Sequence, residues 1–179
     1  MNAPALTIRP AAPDDIIAIR ELADLSVATL LREFLTEAQM AETNDFDELD
    51  RSLVDDQTYS VALIDGRIIA SGGWSRRRAH SRATAGADDA DTILDHRSEP
   101  ARIRHMYTHP DFARRGIGRL ILNVAETGAL LAGFKRAELI ASPVGEKLYA
   151  GCGWTVIDRL HINTRSGIKI EVAHMDKRL

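Results

Sequence analysis

The chain has 179 residues, 45% of them hydrophobic and 27% charged, a balance that suits one domain able to bury a core. Its formal net charge of -3 argues against a general binder of nucleic acid or anionic membranes. The lone cysteine, Cys152, excludes an internal disulfide framework, and the expectation is a cytoplasmic protein with no secretory signal and no membrane-spanning run.

Leu6 to Arg9 reads as a short strand closed by Pro10. Asp14 offers a helix cap, and Ile16, Ile17, Ile19, Leu22, Ala23 and Leu25 recur at helical spacing. A second helical region is expected from Ala28 to Leu35 and a third from about Thr36 to Leu53. Tyr59 to Ile64, Asp65-Gly66 and Arg67 to Ala70 form a hairpin signal, because Asp-Gly suits a type I′ turn. Gly72-Gly73-Trp74 continues the second of these strands and permits close backbone approach. Residues 76–100 are polar and aperiodic, and a connection of that length in a compact domain carries function or moves.

Ala101 to Thr108 is the next strand, and Pro110 ends it. From Gly116 onward, Ile117, Leu120, Ile121, Val124 and Leu131 mark an amphipathic helix. Ala137 to Ala141 is a strand and Gly145 to Ala150 a short helix stopped by Gly151 to Gly153. Thr155 to Asn163 and Ile168 to His174 close the chain as a hairpin around Ser166-Gly167. The sum is a single mixed α/β domain, 1–179, of seven strands.

The segment Thr108-His-Pro-Asp-Phe-Ala-Arg-Arg-Gly-Ile-Gly-Arg-Leu-Ile-Leu122 carries the chemistry. A helix start collects unpaired N–H groups and the positive end of the macrodipole. Glycine lets an anion approach the backbone, and Arg114, Arg115 and Arg119 add charge-assisted donors. The local reading is a phosphate cradle. A dinucleotide fingerprint from Gly116 and Gly118 would need glycine where Ile121 stands, and no Gly-Lys-Ser/Thr triplet makes a P-loop.

Ala113-Arg-Arg-Gly-Ile-Gly118 resembles the acyl-coenzyme A loop of the GNAT acyltransferase superfamily, Gln/Arg-x-x-Gly-x-Gly/Ala. Ala113 departs from it, leaving the grip to the amides of Arg114 to Arg119. Leu148-Tyr149-Ala-Gly-Cys-Gly153-Trp154 is similar to the family's C-terminal Phe-Tyr-x-x-x-Gly-Phe, and Ile8-Arg9-Pro10 with Asp14-Asp15-Ile16 to its opening. Gly72-Gly-Trp-Ser-Arg-Arg77 with Ala101-Arg-Ile-Arg104 also resembles a bacterial branch of the family.

The resemblance implies a mostly antiparallel twisted sheet of about seven strands, flanked by helices, whose fourth and fifth strands splay. It implies acetyl-coenzyme A as co-substrate, no metal, and a primary amine of a small molecule or peptide as acceptor, attacked directly through a tetrahedral intermediate. By it, Met106, Tyr107 and Thr108 bind the pantetheine arm through their backbone. Arg114, Arg115, Gly116, Ile117, Gly118 and Arg119 bind the pyrophosphate, and Tyr149 is the catalytic donor to the coenzyme sulfur. A homodimer through the terminal strands is a further expectation from resemblance, with no nucleic-acid or membrane partner.

The base stays open among His105, Glu33, Glu99, Tyr59 and water. Relatives carry a glutamate on the fourth strand where Arg102 and Arg104 stand here, and strand alternation points His105 away from the cleft. Cys152, Trp74 and Trp154 read as packing residues. Arg76-Arg77-Arg78 with His80 and Arg82 reads as a solvated or gating loop, since no aromatic residue lies among them for base stacking. A second reading is a non-catalytic coenzyme A sensor, suggested by Ala113 and the missing glutamate.

Overall fold

Alternating apolar residues supply two buried faces to one sheet, and helices seal both. The computed structural model describes residues 5–43, 49–78, 92–164 and 166–179. The strands are β1 (Leu6–Pro10), β2 (Tyr59–Ile64), β3 (Arg67–Ser75), β4 (Ala101–Thr108), β5 (Arg136–Ala141), β6 (Thr155–Asn163) and β7 (Lys169–Arg178). They lie in the order β1-β2-β3-β4-β5-β7-β6, antiparallel throughout except for the parallel pair β4–β5. The expected fold class is therefore observed. Asp65 (φ 49°) and Gly66 (φ 77°) both occupy the left-handed region, the geometry of the type I′ hairpin.

Helices α1 (Ile16–Leu30), α2 (Glu37–Ala41) and α3 (Ser52–Asp55) precede β2, and α4 (Ile117–Leu131) and α5 (Pro143–Ala150) follow β4 and β5. On one face α4 and α5 bury Trp74, Ile103, Leu122, Leu139, Tyr149 and Met175 in a common core. On the other, α1 sets Ile19 against Tyr59 and Val61, and Leu22 and Ala23 against Tyr107.

The helices before β2 differ from expectation. A separate helix over 28–35 does not form: α1 runs on to Leu30, and turns lead to Thr36, whose side chain caps α2 by accepting from the Gln39 amide. Part of the expected third helix, 44–48, lies outside the described residues. Asp14 is not the cap. Asp15 instead accepts from the Ala12 amide (2.8 Å) and from both Arg9 guanidinium nitrogens (2.6 and 2.9 Å). β7 extends to Arg178, four residues past the expected end, because β5 offers it a partner from Ala173 to Arg178. Of the polar connection, 79–91 lies outside the described residues, and its two ends pair through Arg77 and Ile93. No helix among the described residues is long and apolar enough to cross a membrane.

Candidate active site

β4 and β5 pair in register only at Ala101–Ala137 and Arg102–Glu138, and beyond those pairs they diverge. The cause lies in β4. The β3–β4 register jumps between Ser71 and Gly73, and His105 takes a left-handed φ of 53°, so β4 carries a bulge. A bulge bends its strand and increases its local twist, which turns β4 away from β5. A non-glycine residue at positive φ costs on the order of 1 kcal/mol or more. The fully buried Tyr59 holds it there: its hydroxyl donates to the His105 carbonyl (2.5 Å) and lies 3.0 Å from Ser71 Oγ.

The His109 amide donates to the Ile69 carbonyl (2.8 Å), which sets the phase of the ladder. Alternation back from that bond turns the backbone of Tyr107 to β3 and the N–H of Thr108 into the gap between β4 and β5. The gap is thus an open V lined by unpaired strand edge.

At the mouth of the V, a 3-10 turn (Pro110–Phe112) leads into the loop. Arg114 (φ 61°) and Gly116 (φ 83°) are left-handed, and Gly116 is the N-cap of α4. The first bond closing the helix runs from the Leu120 amide to the Gly116 carbonyl (3.1 Å). Among the described residues, none of the amides from Arg114 to Arg119 has a protein acceptor. Such consecutive amides at a helix start form a concave anion nest. Arg115 stacks over Phe112 (5.5 Å), Arg119 donates to the Gly151 carbonyl (3.2 Å), and Ile117 turns its side chain into the core. A Cβ on Gly118 would stand 3.2 Å from Leu148 and 3.3 Å from Thr108 Oγ1, so glycine lets the helix start close against β4 and α5.

Tyr149, 7% exposed, sits on α5 against Trp154 (ring centroids 6.1 Å apart). Trp154 is itself fixed by donating to Glu126 (2.8 Å). A Cβ on Gly145 would lie 2.9 Å from the Tyr149 ring, so the glycine four residues earlier makes room for it. Gly145→Ala is therefore expected to displace the Tyr149 ring and lower the unfolding free energy by about 1–3 kcal/mol, which urea unfolding reads.

His105 keeps the face of Tyr107, two residues on, and the bulge brings its neighbour Arg104 to that face as well. The His105 ring lies 3.4 Å from Arg104 Nη2 at Nε2 and 3.4 Å from the Tyr107 hydroxyl at Nδ1. Guanidinium can only donate, so it faces the lone pair that a base would use. Tyr59 is committed to the bulge, and Glu99 to Arg78 (2.9 Å) and the Asp95 amide (2.9 Å). Glu33 is exposed in the turn after α1.

Asp50, Asp56 and Glu138, which no local motif marks, organise the arginines around this site. Arg104 pairs with Asp50 (2.9 Å), both side chains only 3% exposed. Burial pushes the Asp50 carboxyl up, but hydrogen bonds from Ser52 and the Arg104 charge outweigh it and hold it below its ordinary value. Arg77 grips Asp56 with two bonds (3.1 and 3.0 Å), so two of the three described arginines of the 76–82 cluster serve ion pairs within the fold. His80 and Arg82 lie outside the described residues. At the closed end of the V, Glu138 accepts from Arg102 (2.6 Å) and from His174 Nε2 (3.1 Å). Burial lowers the Arg102 guanidinium from its ordinary value, against the opposing pull of Glu138. Isolated polar residues in strands give no sequence signal of such convergence. No group of three or more histidine, cysteine or acidic side chains fit to hold a metal occurs among the described residues.

A family model described as acetyltransferase (GNAT) domain matches residues 55–156. The chain is similar in structure to a GCN5-related N-acetyltransferase from Rhodopseudomonas palustris (TM-score 0.72, 19% identity, covering 100% of this chain and 98% of that one). It is similar to the PaiA N-acetyltransferase of Thermoplasma acidophilum in complex with coenzyme A (TM-score 0.65, 16% identity, 98% and 99% covered). A third likeness is to YncA of Salmonella typhimurium, described as an acetyltransferase and solved with acetyl-coenzyme A (TM-score 0.63, 19% identity, 98% and 94% covered). No curated protein matches the chain in sequence.

Proposed function

The chain belongs to the GNAT acetyltransferase family, and from that premise we propose that it transfers an acetyl group from acetyl-coenzyme A to a primary amine of a small molecule or peptide. The observation that carries this reading is the open V between β4 and β5, with the six unsatisfied amides at its mouth and Tyr149 beside it. The nest suits a pyrophosphate in both charge and shape, which makes coenzyme A a fitting occupant.

The amides of Arg114 to Arg119 hold the pyrophosphate, and the guanidinium groups of Arg114, Arg115 and Arg119 add charge. The N–H groups of Met106 and Thr108 pair with the arm as a strand would. The coenzyme supplies an activated acyl thioester. The Met106 N–H polarises the acyl carbonyl and holds the oxyanion formed when the amine attacks directly. Tyr149 donates to the sulfur as thiolate character develops. The whole chain, 1–179, works as one acyltransferase domain of the cytoplasm, where the free acyl donor is used. The exposed edge strand β6, with Val156, Ile157 and Leu160 at its surface, supports a homodimer in which that edge is covered.

Incubation with acetyl-coenzyme A and a panel of amines, following free thiol, tests the reading. Amine-dependent thiol release with acetylated product supports it, whereas tight coenzyme binding without turnover on any amine assigns the protein to non-catalytic coenzyme sensing. Gly116→Ala isolates the nest: no atom crowds the new Cβ, but φ 83° strains alanine by about 1–2 kcal/mol. The expected result is a roughly tenfold or greater loss of coenzyme affinity by calorimetry, with unfolding stability lowered by no more than that strain.

A further inference from the structure

We propose that His109 is a positioning residue of the phosphate nest: its imidazole caps the turn that delivers the loop, and Arg67 competes for the same lone pair. The role rests on the coenzyme reading of that loop and deepens it, naming the side chain that sets its shape.

The loop has two fixed ends. At its exit Ile117 is buried with Ile69, Ala70 and Ile121. At its entry His109 is 5% exposed, and its amide donates to the Ile69 carbonyl (2.8 Å). Between them Arg114 and Gly116 are left-handed, and the amides from Arg114 to Arg119 have no protein acceptor among the described residues. A non-glycine residue at positive φ persists only where its surroundings over-determine it. With its amides unpaired, this stretch takes its shape from its two ends.

The entry is held by a side-chain cap. Pro110 has no N–H, so the first amide that the turn Pro110–Phe112 must satisfy is that of Asp111. It donates to His109 Nδ1 (3.2 Å), and the Phe112 amide donates to the His109 carbonyl (2.9 Å). The imidazole also stands at 77° to the Phe112 ring, with centroids 5.7 Å apart. Phe112 in turn packs with Ile117 and Ile121, and the Arg115 guanidinium stacks over its ring (5.5 Å). A shift of the imidazole therefore moves Phe112, and with it Arg115 and the amides beside it.

On the other side of the ring, Arg67 Nη2 lies 2.6 Å from Nε2. A guanidinium only donates, and so does the Asp111 amide, whereas an imidazole offers at most one lone pair. The two donors cannot both be satisfied. With the lone pair on Nδ1 the turn is capped, and Nε2–H faces a cation. With the lone pair on Nε2, Arg67 is bonded and the cap is lost. The Asp111 carboxylate, 3.8 Å from Nδ1, is then the acceptor nearest to the ring proton. Arg67 is the first residue of β3, just past the Asp65-Gly66 turn, so one ring ties the nest to that hairpin. A ligand that fits the capped loop binds in proportion to the population of that tautomer.

Calorimetry with acetyl-coenzyme A and with 3′-phospho-ADP, its nucleotide half without the arm, supplies the first arm of the test. His109→Leu is expected to weaken both ligands at least about tenfold and to a similar extent, because the loss lies at the phosphates. His109→Asn, whose Oδ1 stands in for Nδ1 as the cap acceptor, is expected to stay within about threefold of the unaltered protein. A ring that only packs gives the opposite order, since leucine keeps an apolar contact with Phe112 and asparagine does not. Arg67→Gln supplies the second arm and leaves the imidazole in place, so it decides even if His109→Leu does not fold. Glutamine can accept from Nε2–H. The nitrogen shifts of His109 are therefore expected to move to the Nε2–H tautomer, and exchange of the Asp111 amide with solvent to slow at least about threefold. Unchanged affinities in His109→Leu, an asparagine variant as weak as the leucine one, or an unchanged tautomer and Asp111 exchange in Arg67→Gln each overturn the role of His109 and leave the coenzyme reading standing. Failure of the unaltered protein to bind either ligand overturns both.

Discussion

Tyr149→Phe is expected to lower kcat by about ten- to a hundredfold while changing the dissociation constant of acetyl-coenzyme A less than about threefold. A hydrogen bond to a group gaining charge is worth roughly 1.5–3 kcal/mol, and here that charge exists only as the carbon–sulfur bond breaks. In the proposed mechanism ground-state binding depends instead on the amides of Arg114 to Arg119 and the β4 edge, which Tyr149 does not form. The effect is bounded from above as well. If the coenzyme thiol resembles cysteine at about 8.5, a phenol near 10 is the weaker acid, and full proton transfer is uphill by about 2 kcal/mol. In the proposed mechanism Tyr149 therefore acts on the thiolate by hydrogen bonding, and the variant is expected to keep a residual rate. Turnover equal to the unaltered protein in a thiol-release assay, with the fold intact by circular dichroism, would remove Tyr149 from the mechanism.

Asp50→Ala is expected to destabilise the fold by about 3–5 kcal/mol, a large share of the roughly 5–15 kcal/mol typical of a domain. The loss arises less from the missing attraction than from what remains. Arg104 is 5% exposed, its Nε has no partner, and without Asp50 a cation would stay buried and uncompensated. The double variant Asp50→Leu/Arg104→Met is expected to recover most of that loss, since neither charge is then desolvated. Urea unfolding of the three proteins measures it, and a loss under about 1 kcal/mol for Asp50→Ala would contradict the account. The pH dependence follows from the same pair. The folded-state pKa of Asp50 is depressed, so its stabilisation is complete above the ordinary carboxylate range and disappears as pH falls through the depressed value. Acid unfolding of Asp50→Ala should lack that component.

The cradle was legible because it is local. Arg114 to Arg119 are contiguous, and a glycine-bearing loop opening an apolar-periodic helix fixes where unpaired amides must gather. The hairpin at Asp65-Gly66 was legible for the same reason, two residues dictating their own φ angles. The region between α1 and β2 is not legible in this way, because helical spacing alone does not distinguish a continuing helix from turns, and the strands that α1 packs against, β3 and β4, lie far along the chain.

His105 marks the same boundary within one strand. Alternation assigns every second residue to one face, but one extra residue in β4 brings adjacent Arg104 and His105 to the same face, and nothing in Arg102 to Thr108 announces it. The bulge exists because Tyr59, forty-six residues away, donates to the His105 carbonyl.

By itself the sequence determined the family, the mixed α/β plan, the glycine-bearing helix start with its unpaired amides and the helix that carries Tyr149, since each is written in residues adjacent in the chain or spaced by one helix. Only the tertiary structure decided the rest: how far β4 and β5 stay paired, that Arg104 joins His105 on one face, and that Arg102, Glu138 and His174 meet at the closed end of the V. Those contacts join strands far apart in sequence. Their register is set by the packing of two sheet faces against four separate core clusters, a balance of burial that no single segment encodes.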